Sequence, residues 1–210
     1  MSVPASTSLR FLLLQVRNAD DPMRDHERLA FARALAIQPD DCDTVDLLST
    51  RPSSTQLDTS DVVLLGGSGD YSATGEGEWL DRSLDVLREL VQRNQPTFAS
   101  CWGFQAMARA MGGTVVNNPD TAEVGTHRLF VTQAGRNDPV FGSLGQSFPA
   151  QMGHEDCVSV LPRGTTLLAF SERNTHQAFR VDDAPIYCTQ FHPELTRTDL
   201  HQRVKAYPQY

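Results

Sequence analysis

Pro96-Thr97-Phe98-Ala99-Ser100-Cys101-Trp102-Gly103-Phe104-Gln105 reads as an apolar strand at 96–100 running directly into a helix at 102–111. A side chain on so sharp a turn projects above the end of a sheet. The crowded backbone then demands small residues two before and two after it. Ala99 and Gly103 meet that demand around Cys101, which makes the stretch a cysteine analogue of the G-x-S-x-G turn. The start of the following helix supplies positive potential, which favours thiolate over thiol. Its free N–H groups can also face a developing oxyanion. A lone cysteine at a strand end is otherwise most simply a buried core residue, so the reading of Cys101 depends on partners elsewhere in the chain.

Upstream of this turn, short apolar runs alternate with helical patterns. Strands are expected at 10–16, 43–48 and 61–65, and helices at 22–36, opened by Pro22, and at 77–94. The polar stretch 49–60 reads as a loop. This alternation indicates a parallel sheet with helices on both faces. Downstream of residue 114 the pattern changes to successive β-like runs at 126–132, 148–152, 165–171, 177–182 and 185–191, closed by a helix at 196–206. The expected fold is α/β, with a central mostly parallel sheet and a mixed or antiparallel second half. With 210 residues and no repeat or linker, one domain over 1–210 is the simplest organisation.

A thiolate nucleophile needs a nearby histidine, and that histidine needs an orienting partner. Of six histidines, only His192 closes an apolar strand, in Ile186-Tyr187-Cys188-Thr189-Gln190-Phe191-His192-Pro193-Glu194. Strand C-terminal ends carry the sites of open α/β sheets. Pro193 biases His192 toward extended backbone, in which residues i and i+2 share a face, so Glu194 can reach one ring nitrogen. By itself, His-Pro-Glu is also what a solvated turn would look like. Gly66-Gly67-Ser68-Gly69 follows the strand at 61–65 but has Ser72 where a dinucleotide fingerprint needs glycine. Such a loop still exposes N–H groups at close range, which suits an oxyanion hole built from Gly67 and Trp102.

Composition narrows the alternatives. The net charge of -8 disfavours a nucleic-acid partner. Lys205 is the sole lysine, which excludes a Walker phosphate loop. Cys42, Cys101, Cys157 and Cys188 form no C-x-x-C pair, so metal-knuckle spacing is absent, and acyl transfer through a cysteine requires no metal or organic cofactor. The longest early apolar run, Phe11 to Leu14, is too short for a signal peptide or membrane span. A reduced cytoplasmic protein is expected, with Cys42, Cys157 and Cys188 as core fillers.

Three signals occur in order: a Gly-Gly loop after a strand, Cys101-x-Gly103-x-Gln105 at the turn, and Gln190-Phe191-His192-Pro193-Glu194, with His192 91 residues beyond Cys101. From Leu12 to about Leu200 the chain resembles the class I, or triad, glutamine amidotransferases, in particular stand-alone domains similar to the amidotransferase half of GMP synthase. The resemblance implies a flavodoxin-like three-layer sandwich. It implies Cys101 as nucleophile, His192 as base and Glu194 as its orienting carboxylate, with Gln105 holding substrate. Met152-Gly153-His154-Glu155-Asp156 is similar to a family stretch reading Ser-His-Gly-Asp, which makes Gly153 and His154 substrate contacts, together with Gly66 of the glycine loop. Ala99, Phe104 and Gly153 depart from the family's usual Gly, His and Ser. The implied reaction is hydrolysis of the glutamine side-chain amide, with ammonia passing to a synthetase partner. Two other readings stand beside it. One is a γ-glutamyl peptidase with the same triad, marked by an open groove near Gly69 to Gly75; the other is a non-catalytic flavodoxin-like binding protein.

Overall fold

The computed structural model describes residues 9–207. In chain order the strands are β1 (Phe11–Gln15), β2 (Cys42–Asp46), β3 (Val62–Leu65), β4 (Thr97–Ser100), β5 (Thr114–Asn117) and β6 (Glu123–Val131). They continue with β7 (Ser147–His154), β8 (Asp156–Val160), β9 (Thr165–Phe170), β10 (Ala178–Val181) and β11 (Ile186–Thr189). The α-helices are α1 (Met23–Leu35), α2 (Ser54–Thr59), α3 (Glu78–Gln92), α4 (Trp102–Ala110), α5 (Gln133–Asn137) and α6 (Arg197–Ala206).

Nine strands form one sheet in the order β2-β1-β3-β4-β11-β10-β9-β6-β7. The first five in that order run parallel, and from β11 onward each neighbour is antiparallel. This is the α/β architecture expected from the alternation of strands and helices. β1 is buried at all five positions, as a parallel strand covered on both faces must be. Its side chains alternate between two cores. Leu12 and Leu14 join the cluster built with α3 and α4, whereas Phe11 and Leu13 pack with Phe31 of α1. Leu80, Leu84, Leu87 and Leu90 of α3 lie on its buried face, each contributing about 1.5–3 kcal/mol of burial.

Several boundaries differ from the sequence reading. The stretch 49–60 contains α2, whose Ser53 hydroxyl accepts from the Gln56 N–H while the Gln56 side chain accepts from the Ser53 N–H. This capping box was present in the sequence as Ser-x-x-Gln. The last strand ends at Thr189 rather than 191. β5 and β8 pair in a separate antiparallel ribbon that periodicity did not reveal. Cys42, Cys157 and Cys188 are unpaired and buried, as expected of core fillers.

Candidate active site

Because β3, β4 and β11 are adjacent parallel strands, their C-terminal ends bring the glycine loop, Cys101 and His192 side by side. Cys101 has φ 53 and ψ -107, a conformation that L residues rarely adopt. Neighbouring strands hold it there. Its N–H donates to the Thr189 carbonyl at 2.8 Å, and the Gly103 N–H donates to the Gly66 carbonyl at 3.1 Å. A Cβ on Gly103 would lie 2.7 Å from Leu65 Cβ and 3.2 Å from Ala99 Cβ. This explains both the small residue at 103 and why alanine fits at 99. Gly103→Ala is expected to destabilise the protein by about 1–3 kcal/mol, measured by denaturant unfolding.

His192 lies three residues beyond β11. Its N–H donates to the Gln151 carbonyl at 3.0 Å, tying it to β7. Its Nδ1 is 2.6 Å from Glu194 Oε1. The extended i,i+2 geometry expected from the sequence is not what joins them. Pro193 and Glu194 form a turn, closed by the Leu195 N–H on the His192 carbonyl at 3.3 Å. Glu194 is buried and also faces the Ser100 hydroxyl at 3.4 Å. Burial opposes charge on the His192 ring, but the Glu194 carboxylate and the Cys101 thiol outweigh it and raise its pKa to about 9. Burial likewise opposes ionisation of Glu194, yet the charge and hydrogen bond of His192, with Arg203, bring its pKa below the usual range.

Gly67 lies directly against this pair. A Cβ there would be 3.0 Å from His192 Cε1 and 3.6 Å from Cys101 Sγ. A Cβ on Gly66 would strike Glu27, and one on Gly69 would fall 2.2 Å from the Tyr207 ring. None of these three glycines has positive φ, so space, not left-handed backbone, requires them. The Gly66 carbonyl is turned toward α4, away from the cavity beside Cys101. As the first helical residue, Trp102 has an N–H with no carbonyl a turn before it, and its ring packs against Trp79, 6.1 Å between centroids.

A cavity of about 270 Å³ opens beside Cys101 and is bordered by Gly69, Ser72, Gln105, Gly153, His154 and Asp156 among others. Gln105 Nε2 donates to the Asp156 carbonyl at 2.8 Å and to Gln190 Oε1 at 3.1 Å. The Gly153 carbonyl is 3.7 Å from Cys101 Sγ. The His154 ring turns away from the cavity, with Nε2 3.3 Å from Glu123 Oε2. Glu123 accepts from Asn174 at 2.8 Å and Gln177 at 2.5 Å. Burial pushes the Glu123 pKa up, but His154, Asn174 and Ser171 hold it down at about 2. His154 is therefore a buried strut beneath the segment 153–156. The loop after β3 is tied down as well. Arg109 donates to the Ala73 and Gly75 carbonyls at 2.6 and 2.8 Å, and the Ser72 hydroxyl meets Asp156 Oδ2 at 2.5 Å. The sequence reading missed Arg17, Glu27 and Tyr207 behind the glycine loop. Their hydrogen bonds join positions up to 190 residues apart, and no local pattern marks them.

An α/β sheet with buried Cys101, His192 and Glu194 beyond two adjacent parallel strands, and a glycine loop beyond a third, defines the class of protein to which comparison is meaningful. The glutamine amidotransferase class-I pattern matches residues 34–206, and the chain belongs to that family. GMP synthase [glutamine-hydrolyzing] of Streptomyces avermitilis is 32% identical over 156 residues, 74% of this chain and 28% of that protein. The chain thus spans little more than a quarter of that relative's length. Gamma-glutamyl peptidase 3 of Arabidopsis thaliana is 29% identical over 158 residues, 73% of this chain and 62% of the peptidase. Among solved structures, a glutamine amidotransferase of Thermotoga maritima superposes with a TM-score of 0.76 at 20% identity, covering 96% of this chain and 84% of its own. That likeness supports the shared fold. Among the described residues no helix is long and apolar enough to cross a membrane.

Proposed function

We propose that the chain acts as one amidotransferase domain that hydrolyses the side-chain amide of glutamine through a γ-glutamyl thioester on Cys101. The observation that carries this reading is the placement of His192 and Cys101 together against Gly67, where one Cβ would lie 3.0 Å from His192 Cε1 and 3.6 Å from Cys101 Sγ, with His192 Nδ1 2.6 Å from Glu194 Oε1. The raised pKa of His192 keeps its ring protonated at neutral pH, which stabilises the Cys101 thiolate beside it. The thiolate attacks the δ-carbonyl carbon, and the Gly67 and Trp102 N–H groups receive the oxyanion. The C–N bond breaks, and His192 gives its proton to the departing ammonia. His192 then takes a proton from water as the oxygen attacks the thioester, which frees glutamate and the thiolate. Gln105, Gly153 and the backbone of His154 shape the glutamyl site, while Gly66 braces the nucleophile turn from behind through its carbonyl. Ammonia passes to a synthetase partner, consistent with a GMP synthase relative far longer than this chain.

The γ-glutamyl peptidase relative keeps a second reading in view. A glutamine-like diazo-ketone distinguishes the nucleophile from the other thiols. Burial raises the pKa of Cys42 to about 11 and lifts those of Cys157 and Cys188. Mass spectrometry is expected to find one label, at Cys101, with parallel loss of ammonia release from glutamine. Labelling mainly at Cys157 or Cys188 would remove the assignment.

A further inference from the structure

We propose that the wall formed by α6 and the residue after it selects the leaving group, with Leu200, Val204 and Tyr207 restricting the reaction to substrates that release ammonia rather than an amino acid. This rests on the amide-hydrolase reading above. Two cavities meet at Cys101, and Ser68 and Gly153 also border both. The larger, of about 270 Å³, extends past Gln105 and Asp156. The smaller, of about 30 Å³, lies between Gly67, His192 and α6. His192 borders the smaller cavity and not the larger. A proton must travel from His192 to the departing nitrogen, so the leaving group faces the smaller cavity and the glutamyl part fills the larger. About 30 Å³ holds one or two molecules the size of water or ammonia. Glycine, the smallest amino acid that a γ-glutamyl peptide could release, carries several heavy atoms more than ammonia and would press on Leu200, Val204 and Tyr207.

The wall is braced. Leu200 Cδ1 lies 3.8 Å from where a Cβ on Gly153 would sit, beside the carbonyl that faces Cys101 Sγ. Leu200 and Val204 pack with Ala30 and Leu195. The Tyr207 ring covers Gly69, and its hydroxyl accepts from Arg17 at 2.6 Å and donates to Asp21 at 2.5 Å.

The test is kcat/KM of the purified chain for glutamine, γ-glutamylmethylamide and γ-glutamylglycine, reading glutamate release in each case. The wild type is expected to favour glutamine over γ-glutamylglycine by at least about 100-fold, with the methylamide between them. Leu200→Ala, Val204→Ala and the double variant are expected to raise kcat/KM for the methylamide by about tenfold in absolute terms. Val160→Ala, at an exposed position distant in sequence, is expected to leave the ratio unchanged. If circular dichroism shows that the double variant does not fold, the half-buried Val204→Ala carries the test. Comparable wild-type turnover of all three substrates, or no gain in the folded enlarged variants, overturns the proposal while leaving amide hydrolysis intact. No glutamate from any substrate overturns amide hydrolysis and this selection together.

Discussion

Cys101→Ala is expected to lower glutamine hydrolysis by at least about 10⁴-fold, because no other group at the turn can form the thioester. The fold is expected to persist, since the side chain removed is small. The strained backbone adds a second expectation. At φ 53 and ψ -107 any Cβ is unfavourable, so Cys101→Gly should be more stable than Cys101→Ala by about 1 kcal/mol. Denaturant unfolding of the two inactive variants measures this difference without interference from activity. Equal stabilities would mean that the turn relaxes once the thiol is gone. Retained hydrolysis in Cys101→Ala would reject the nucleophile itself.

Changes to the other two members should be unequal. His192→Asn removes the proton carrier and is expected to cost at least about 10⁴-fold in kcat. Glu194→Gln keeps a ring that can still accept and donate, and is expected to cost less, roughly 10²–10³-fold. The pH dependence separates these roles. With the His192 pKa near 9, the thiolate–imidazolium pair is lost as pH rises through that value, which sets the basic limb of kcat/KM. Glu194 is the main group holding that pKa up, so Glu194→Gln should move the basic limb to lower pH. The same raised pKa means that the ring's contribution to folding is fully present below about 6.5, the unfolded value, and vanishes as pH passes through 9. A basic limb that does not move in Glu194→Gln, or a greater loss there than in His192→Asn, would require the roles to be reassigned.

Parallel strands were legible because burial on both faces makes them read as apolar runs, as in residues 11–14 of β1 and Val62–Leu65. Cys101 was legible because the steric demands of its turn are written in Ala99 and Gly103. The pairing of His192 with Glu194 was foreseen, but by the wrong geometry. Pro193 starts a turn here instead of prolonging the strand, and a two-residue spacing is compatible with either. The β5–β8 ribbon escaped notice because its paired positions are 39 to 46 residues apart and its register shifts between Thr114 and Val115. The cluster of Arg17, Glu27, Arg203 and Tyr207 escaped for a related reason, since buried ion pairs between distant segments leave no periodic trace. His154 borders the cavity beside Cys101, while its side chain joins a carboxylate network visible only once β6 and β7 are paired.

The sheet order places β11 beside β4, although 85 residues separate the end of β4 from the start of β11. During synthesis from the N-terminus, the turn bearing Cys101 emerges long before His192, its proposed base, and before α6. Non-local strand pairing of this kind is slow compared with local helix formation. A ribosome-bound chain that stops before residue 186 therefore carries the Cys101 thiol without its proposed base, until the last parallel strand has been made and has docked beside β4.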